Sequence, residues 1–496
     1  MKRQSGILMP VFSLDSGYSI GDFGKSAYEF VDFLCLCGQK VWQILPLTKT
    51  GYSNSPYSSV YSRSFNPLFI SLELLSKKGL IKKSELKELK CKSERVDYGK
   101  VYKIKTALLK VCFSRFNKQD EEFNKFLKGK EYFNYAIFSA ISEKSGYAPF
   151  TTWEKGLKER DSKAINSFYK QNKNLVDFHA FTQFIAKKQW LELKEYANSK
   201  GIKILGDIPI YVSFDSVDVW QNPELFLLDE NLNACAVAGV PPDYFCQDGQ
   251  LWGNPVYAYS NHAKDNYKWW KARVKHALTV YDLVRIDHFR AFDRFYKINA
   301  NEQTARNGVW VEGPKREIIN AFSFAKNKIV AEDLGMIDDG VRELLKYSGY
   351  PGMKVLSFAY DGDKNNLHLP ELALDNSVMY TGTHDNDTLM GLLNSLDCGA
   401  KERLKQGVKS SAKRLKVKVN LSTNKSITNS LITLALKSKS KLSIIPMQDY
   451  LALDQNYRVN RPGTADCGNW SIIISKKLLT SKKAKEIKRI TELNGR

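Results

Sequence analysis

Carboxylates close a series of short apolar runs along this chain: Asp207, Asp287, Glu332, Asp333, Asp385 and Asp449. A single acid at a strand end commonly forms a turn or caps a helix. Several acids gathered in one place repel one another, which raises their pKa values and lets some act as acids while others act as bases. Cleavage of a glycosidic bond needs that division of labour. One carboxylic acid protonates the leaving oxygen and one carboxylate attacks the anomeric carbon, at about 5–5.5 Å separation in a retaining reaction. In "VRIDHF", Arg285 stands two residues before Asp287, so the period of a strand puts both side chains on one face. A guanidinium there keeps Asp287 ionised, as a nucleophile requires. Glu332, in "VAEDLG", must instead hold its proton, which a partly apolar surrounding favours. The stretch "MYTGTHDNDTLMG" adds His384, Asp385, Asn386 and Asp387 at the end of another apolar run. Taken alone it reads equally well as a turn.

The elements that must position these acids are short β-branched runs separated by helical stretches. They are "GILMPVFSL", "KVWQILPL", "IKILGDIPI", "DLVRIDHF", "KIVAEDL", "GMKVLSFAY", "SVMYTGTHD" and "KLSIIPMQDYL". Runs that are apolar throughout suit strands buried on both faces, and helices between them imply parallel crossovers. Eight such units predict an α/β protein of the (β/α)8 barrel class, in which all C-terminal strand ends share one face. Residues 1–496 are expected to form a single catalytic barrel. Within it, 68–195 predicts a helical insertion after the second strand, and 211–262 an insertion with a loop after the third.

Lysine and arginine total 75 against 53 acids, a net charge of +22. Such an excess raises nucleic acid or an anionic membrane as partners. However, the basic stretch 401–441 also carries Leu404, Val408, Leu415 and the run Leu431 to Leu436, a pattern of helices with lysine-rich outer faces. No zinc finger, RNP-like segment or basic zipper accompanies the charge. The eight cysteines form no CxxC pair, and the six histidines form no HxH or HExxH arrangement. Reduced thiols, a cytoplasmic location and no metal or cofactor are therefore expected. The N-terminal "MKRQSGILMPVFSLDSG" reads as a first strand rather than a signal peptide, because Pro10 interrupts its apolar run.

Seven stretches carry a family resemblance: "GYSNSPYSSVYSRSFNPLFISLELL", "GDIPIYVSFDSVDVW", "AGVPPDYFCQDGQLWGNPVY", "VRIDHFRAF", "VAEDLG", "YTGTHDNDT" and "RVNRPGT". In this order they resemble the motifs of the 4-α-glucanotransferases, also called amylomaltases or disproportionating enzymes. The resemblance implies a retaining barrel of the α-amylase superfamily type, with Asp287 as nucleophile, Glu332 as general acid/base and Asp385 as transition-state stabiliser. It also implies that His384 and Asp385 grip the reacting sugar's hydroxyls, and that Tyr57, Asp207 and Arg285 line the neighbouring glucose. Tyr244 and Trp252 would offer flat faces from a long active-site loop, and Asn460 would lie near the acceptor side. "LMPVFSLDSG" and "GNWSIII" depart from the family's usual wording.

The favoured expectation is transfer of α-1,4-glucan segments from a malto-oligosaccharide or starch donor to glucose or another glucan, with neither nucleic acid nor membrane as partner. The alternative is a retaining α-glucan hydrolase using the same trio. From a different class comes a non-catalytic glycan- or nucleic-acid-associated barrel, suggested by the net charge. The oligomeric state is left open.

Overall fold

A computed structural model of the chain describes residues 3–51, 53–91, 93–242, 247–464 and 468–496, the side chains at 130 and 131 excepted. Among them twelve strands occur in chain order: β1 (Gln4–Leu8), β2 (Val41–Gln43), β3 (Lys203–Ile208), β4 (Ala236–Val240), β5 (Gln250–Pro255), β6 (Leu283–Ile286), β7 (Arg294–Asn299), β8 (Val309–Glu312), β9 (Ile329–Ala331), β10 (Gly352–Val355), β11 (Ser377–Tyr380) and β12 (Leu442–Pro446). Every run read as a barrel strand is one. Eight of them pair in parallel in the order β10-β11-β12-β1-β2-β3-β6-β9. The two edges meet where Ala331 N donates to Pro351 O at 3.0 Å. Beside that bond, Asp333 Oδ1 accepts from Met353 N at 2.6 Å. A carboxylate thus satisfies a backbone donor that an open sheet edge would leave without a partner. The result is a (β/α)8 barrel.

Strand period two sorts the side chains. Ile7, Trp42, Ile204, Val284 and Met379 belong to the large core beneath the helices. Their chain neighbours Leu8, Val41, Leu205, Val378 and Tyr380 belong to a second, smaller core with Met353 and Ile444, which fills the barrel. Asp207 continues the inward phase of Leu205; Arg285 and Asp287 continue that of Leu283; Glu332 continues that of Val330. The barrel interior is therefore apolar along its length and becomes charged only at the C-terminal ends of the strands.

Between β2 and β3 the chain is mainly helical, with helices Leu72–Lys77, Tyr98–Arg115, Glu121–Leu127, Lys130–Lys144 and Ser162–Ser199. The last is started by Asp161, whose side chain accepts from Lys163 N and Ala164 N, and is kinked at Asn172. Its inner face carries Phe181 and Phe184 into a cluster with Phe116 and Phe123. Its Gln183 binds both backbone groups of Phe65, and Gln189 both of Ser71. Two buried amides thereby pin the segment that leads from Tyr57 back to the helices.

The sequence reading did not anticipate a second sheet. It is antiparallel in the order β5-β4-β7-β8, so it draws strands from both sides of β6 and runs on to Glu312, past the 211–262 insertion. Gly239, Gly253 and Pro255 within β4 and β5 blur the strand pattern there. In the basic region, helix Cys398–Leu415 buries Leu404, Val408 and Ala412 and exposes Arg403, Lys409, Lys413 and Arg414, so its charge is a solvated face. No helix among the described residues is long and apolar enough to cross a membrane.

Candidate active site

Asp207 in β3 and Arg285 in β6 are register partners across the parallel ladder. Arg285 Nη1 is ion-paired with Asp207 Oδ2, and Arg285 Nη2 donates to Asp287 Oδ1 at 2.6 Å. One guanidinium therefore bridges two carboxylates. Arg285 and Asp207 are buried, whereas the Asp287 side chain keeps 27% of its surface open. Tyr57, from the loop after β2, donates its hydroxyl to Asp207 Oδ2 at 2.7 Å. Burial first, and then the charge of Asp207, push the Tyr57 hydroxyl well above the usual tyrosine range, so it remains a donor.

Ile286 and Ala331 are paired in register, so Asp287 and Glu332 leave adjacent strands at the same level. Neighbouring strands lie about 4.8 Å apart, which suits the carboxyl separation of about 5–5.5 Å in a retaining glycosidase. Glu332 Oε2 accepts from His288 N at 2.6 Å and Oε1 from Leu334 N at 2.9 Å. Burial and the nearby charge of Asp287 raise the Glu332 carboxyl to about 8, against the pull of Arg285 and the His288 amide. Burial also raises Asp287, to about 6, with Arg285 opposing it. The two titrate as a pair. Because Arg285 touches Asp287 directly, the proton that the pair retains longer belongs to Glu332.

His384 and Asp385 follow β11. His384 Nε2 lies 3.3 Å from Asp385 Oδ2, and Asn460 donates its amide to Asp385 Oδ1 at 2.6 Å. Burial works against the Asp385 charge, but His384, Asn460 and Arg285 together outweigh it and hold the carboxyl at about 2. Its side chain is 40% exposed, so solvent screens part of that field. The Tyr57 ring stacks on His384 at 5.2 Å, and Trp470 leans on both rings at 5.8 Å. Asp207 Oδ1 and His384 Nδ1 are buried without a hydrogen-bond partner in the protein.

The remaining strand-end acids serve the scaffold. Asp333 closes the barrel as described above. Asp449 accepts from the Thr381 hydroxyl at 2.6 Å and from Leu389 N at 2.8 Å. Asn386 Oδ1 accepts from Thr383 N at 2.8 Å, so "THDND" is a turn, and the same turn carries His384 and Asp385 beside Tyr57 and Asn460. Trp252, on β5, sets its ring edge-to-face against His288 at 4.9 Å. Tyr244 lies outside the described residues.

Three contributors were not singled out from sequence. His288 has a left-handed backbone (φ 50°), which turns its N–H towards Glu332, and burial lowers its imidazole to about 3, leaving it neutral. Arg458 donates to the carbonyls of Asp385 at 2.6 Å and Asn460 at 2.7 Å. Trp470 forms the ring contacts above. The available signals were the position of His288 next to Asp287 in "RIDHF", of Arg458 two residues before Asn460, and of Trp470 in "GNW".

Similarity to known proteins agrees with this geometry. Residues 9–477 match a protein family described as 4-alpha-glucanotransferase. The 4-alpha-glucanotransferase of Clostridium butyricum is 39% identical, over 98% of this chain and 100% of its own length. That of Thermus thermophilus is 37% identical, over 95% and 94%. In three dimensions the chain superimposes on the amylomaltase from Streptococcus agalactiae in complex with acarbose with a TM-score of 0.94, at 36% identity and 100% coverage of both chains. A barrel with paired carboxylates on adjacent strands and a match along nearly its whole length lead to one assignment: the chain belongs to the 4-alpha-glucanotransferase family.

Proposed function

We propose that the chain transfers α-1,4-glucan segments between malto-oligosaccharides by a retaining, two-step reaction. Asp287 attacks C1 of the donor sugar, forming a C1–Oδ bond as the C1–O4 bond breaks, while Glu332 gives its proton to the departing O4. The 4-hydroxyl of an acceptor then attacks C1, returns a proton to Glu332 and releases Asp287. Asp385 and His384 hold hydroxyls of the reacting ring, Tyr57, Asp207 and Arg285 shape the wall beside it, and Asn460, Trp252 and Tyr244 serve the acceptor side. Residues 1–496 act as one catalytic unit, with 68–195 and 211–262 as insertions, and the setting is the cytoplasm.

The observation that carries this reading is the Arg285 bridge. It favours the charge on Asp287 while the carboxyl one strand away, Glu332, keeps its proton, giving a nucleophile and an acid at neighbouring strand ends. Incubation with maltotriose alone tests it. Glucose together with oligomers longer than the substrate is the expected result; glucose and maltose without longer products would mean hydrolysis instead.

A further inference from the structure

Three consecutive residues after Asp287 grip the chain that carries Glu332. His288 N donates to Glu332 Oε2 at 2.6 Å, Phe289 N donates to the Glu332 carbonyl at 3.0 Å, and the Arg290 guanidinium reaches on to the loop that follows. Arg290 Nη1 donates to the Met336 carbonyl, and Nη2 to Asp338 Oδ2 at 3.3 Å. Asp338 is itself the cap of helix Asp339–Ser348, where its side chain accepts from Val341 N. The middle of that loop is loosely packed. Gly335 is left-handed (φ 83°) with nothing within 4 Å of where a Cβ would stand, and Met336 is 57% exposed. The hold that Arg290 takes on the Met336 carbonyl therefore fixes a stretch that side-chain packing leaves free.

Both ends of this grip rest on the second sheet, whose strand β7 starts at Arg294, one residue after the turn Phe289–Phe292 and Asp293. At one edge of that sheet, on β5, Trp252 meets His288. At the other edge, on β8, the ring centre of Trp310 lies 4.0 Å from the guanidinium carbon of Arg290. Tyr296 of β7 packs edge-to-face on the Trp310 ring at 5.2 Å and fixes its setting. Arg290 is only 4% exposed, and its Nε has no hydrogen-bond partner in the protein. Burial thus works against its charge, while Asp338 and Asp293 support it. An aromatic face attracts a guanidinium most strongly where water is excluded, which is the situation here.

We infer that Arg290 and Trp310 are positioning residues, through which the second sheet sets the place of Glu332 relative to Asp287. The inference rests on the nucleophile and acid/base roles proposed above, and neither residue touches substrate in it. An acid must stand within hydrogen-bond reach of the oxygen it protonates. A misplacement of about 1 Å can cost about 100-fold in rate. The brace therefore governs proton delivery rather than binding. Lysine cannot replace Arg290 in this role, because an ammonium is a point charge without the planar fork that spans the Met336 carbonyl and Asp338 while stacking on a ring.

Two donors separate this role from a general loss of structure. Transfer from maltotriose needs the Glu332 proton, whereas α-glucosyl fluoride carries a leaving group that needs none. In Trp310→Leu and, separately, Arg290→Lys, kcat for maltotriose should fall about 10- to 100-fold with KM little changed. First-turnover release of fluoride should stay close to that of the parent chain. Trp310→Phe keeps an aromatic face beside Arg290 and should recover most of the transfer rate. An equal fall in both reactions, an unchanged transfer rate, or no gain of Trp310→Phe over Trp310→Leu would each overturn the brace. Glu332→Gln, run alongside, keeps the two readings apart. If it shows the donor dependence and Trp310→Leu does not, the brace fails alone; if it loses both reactions equally, the acid/base assignment fails and the brace with it.

Discussion

Asn460 donates its amide to Asp385 Oδ1 at 2.6 Å, while the Asn460 backbone N–H reaches the His384 carbonyl at 3.1 Å. A residue 75 positions later in the chain thus holds the carboxylate with its side chain and the turn beneath it with its backbone, and Arg458 secures the same turn through the Asp385 carbonyl. The bond to a charged acceptor contributes about 1.5–3 kcal/mol.

Asn460→Ala should therefore lower kcat about 10- to 100-fold. Asn460→Asp should lower it further, because a second carboxylate would raise the pKa of Asp385 instead of lowering it. Asp385 would then titrate closer to the acid limb that Asp287 sets and steepen it in a kcat profile, a change that a merely structural defect would not produce.

The pH dependence of kcat/KM should be bell-shaped. The proposed reaction needs Asp287 ionised and Glu332 protonated, so the limbs should fall near 6 and 8, as values of the coupled pair. Arg285→Gln removes the cation that lowers Asp287, so the acid limb should rise by about 1 unit or more. Arg285→Lys keeps the charge and should return the limb towards its original place without restoring the rate, because an ammonium cannot reproduce the two-carboxylate fork. An unmoved acid limb in Arg285→Gln would remove the bridge from the mechanism.

Glu332→Gln should slow transfer from a glucan donor by about 10²–10⁴-fold. With α-glucosyl fluoride, whose leaving group needs no proton, formation of the glucosyl-enzyme should persist. The same variant reports on stability. The folded pKa of Glu332 is raised above its ordinary 4.5, so ionisation costs folding stability progressively as pH climbs from about 4.5 through about 8. Glu332→Gln escapes that cost. Its gain in Tm over the parent should grow across this window and be smallest at acid pH.

Trp252→Ala should raise the ratio of hydrolysis to transfer with maltotriose while total activity falls. The indole against His288 covers the chain that supplies Glu332 with a hydrogen bond, and its loss should admit water beside the proposed intermediate. Tyr244→Ala carries the same expectation. Reducing ends formed, measured against oligomers lengthened, give the ratio; equal ratios in both variants and parent would assign acceptor shielding to another segment.

The barrel was legible because parallel strands buried on both faces leave continuous apolar runs, and Leu205–Asp207 or Leu283–Arg285–Asp287 can be phased by eye. The same phase showed Arg285 and Asp287 on one face. It could not separate Asp385 from Asp449, since both follow barrel strands and only tertiary contacts reveal that Asp449 is occupied by Thr381 and Leu389. The second sheet escaped because β4 and β5 carry glycine and its strands pair across β6, an arrangement with no local signature. His288 escaped for a related reason. Its contribution is a backbone N–H set by a left-handed turn, and side-chain chemistry gives no hint of that.

The apolar filling of the barrel, Leu8, Val41, Leu205, Met353 and Ile444 among others, has a kinetic consequence. A vessel stoppered at the base has one doorway. The leaving glucan and the incoming acceptor must pass through the same opening, one after the other, so the order of events is dictated by traffic as much as by chemistry. Double-reciprocal plots at varied donor and acceptor should accordingly run parallel, the mark of a ping-pong exchange. During the interval between departure and arrival, the sugar proposed to sit on Asp287 would have packed side chains beneath it and could exchange partners only from the face at which the strands end.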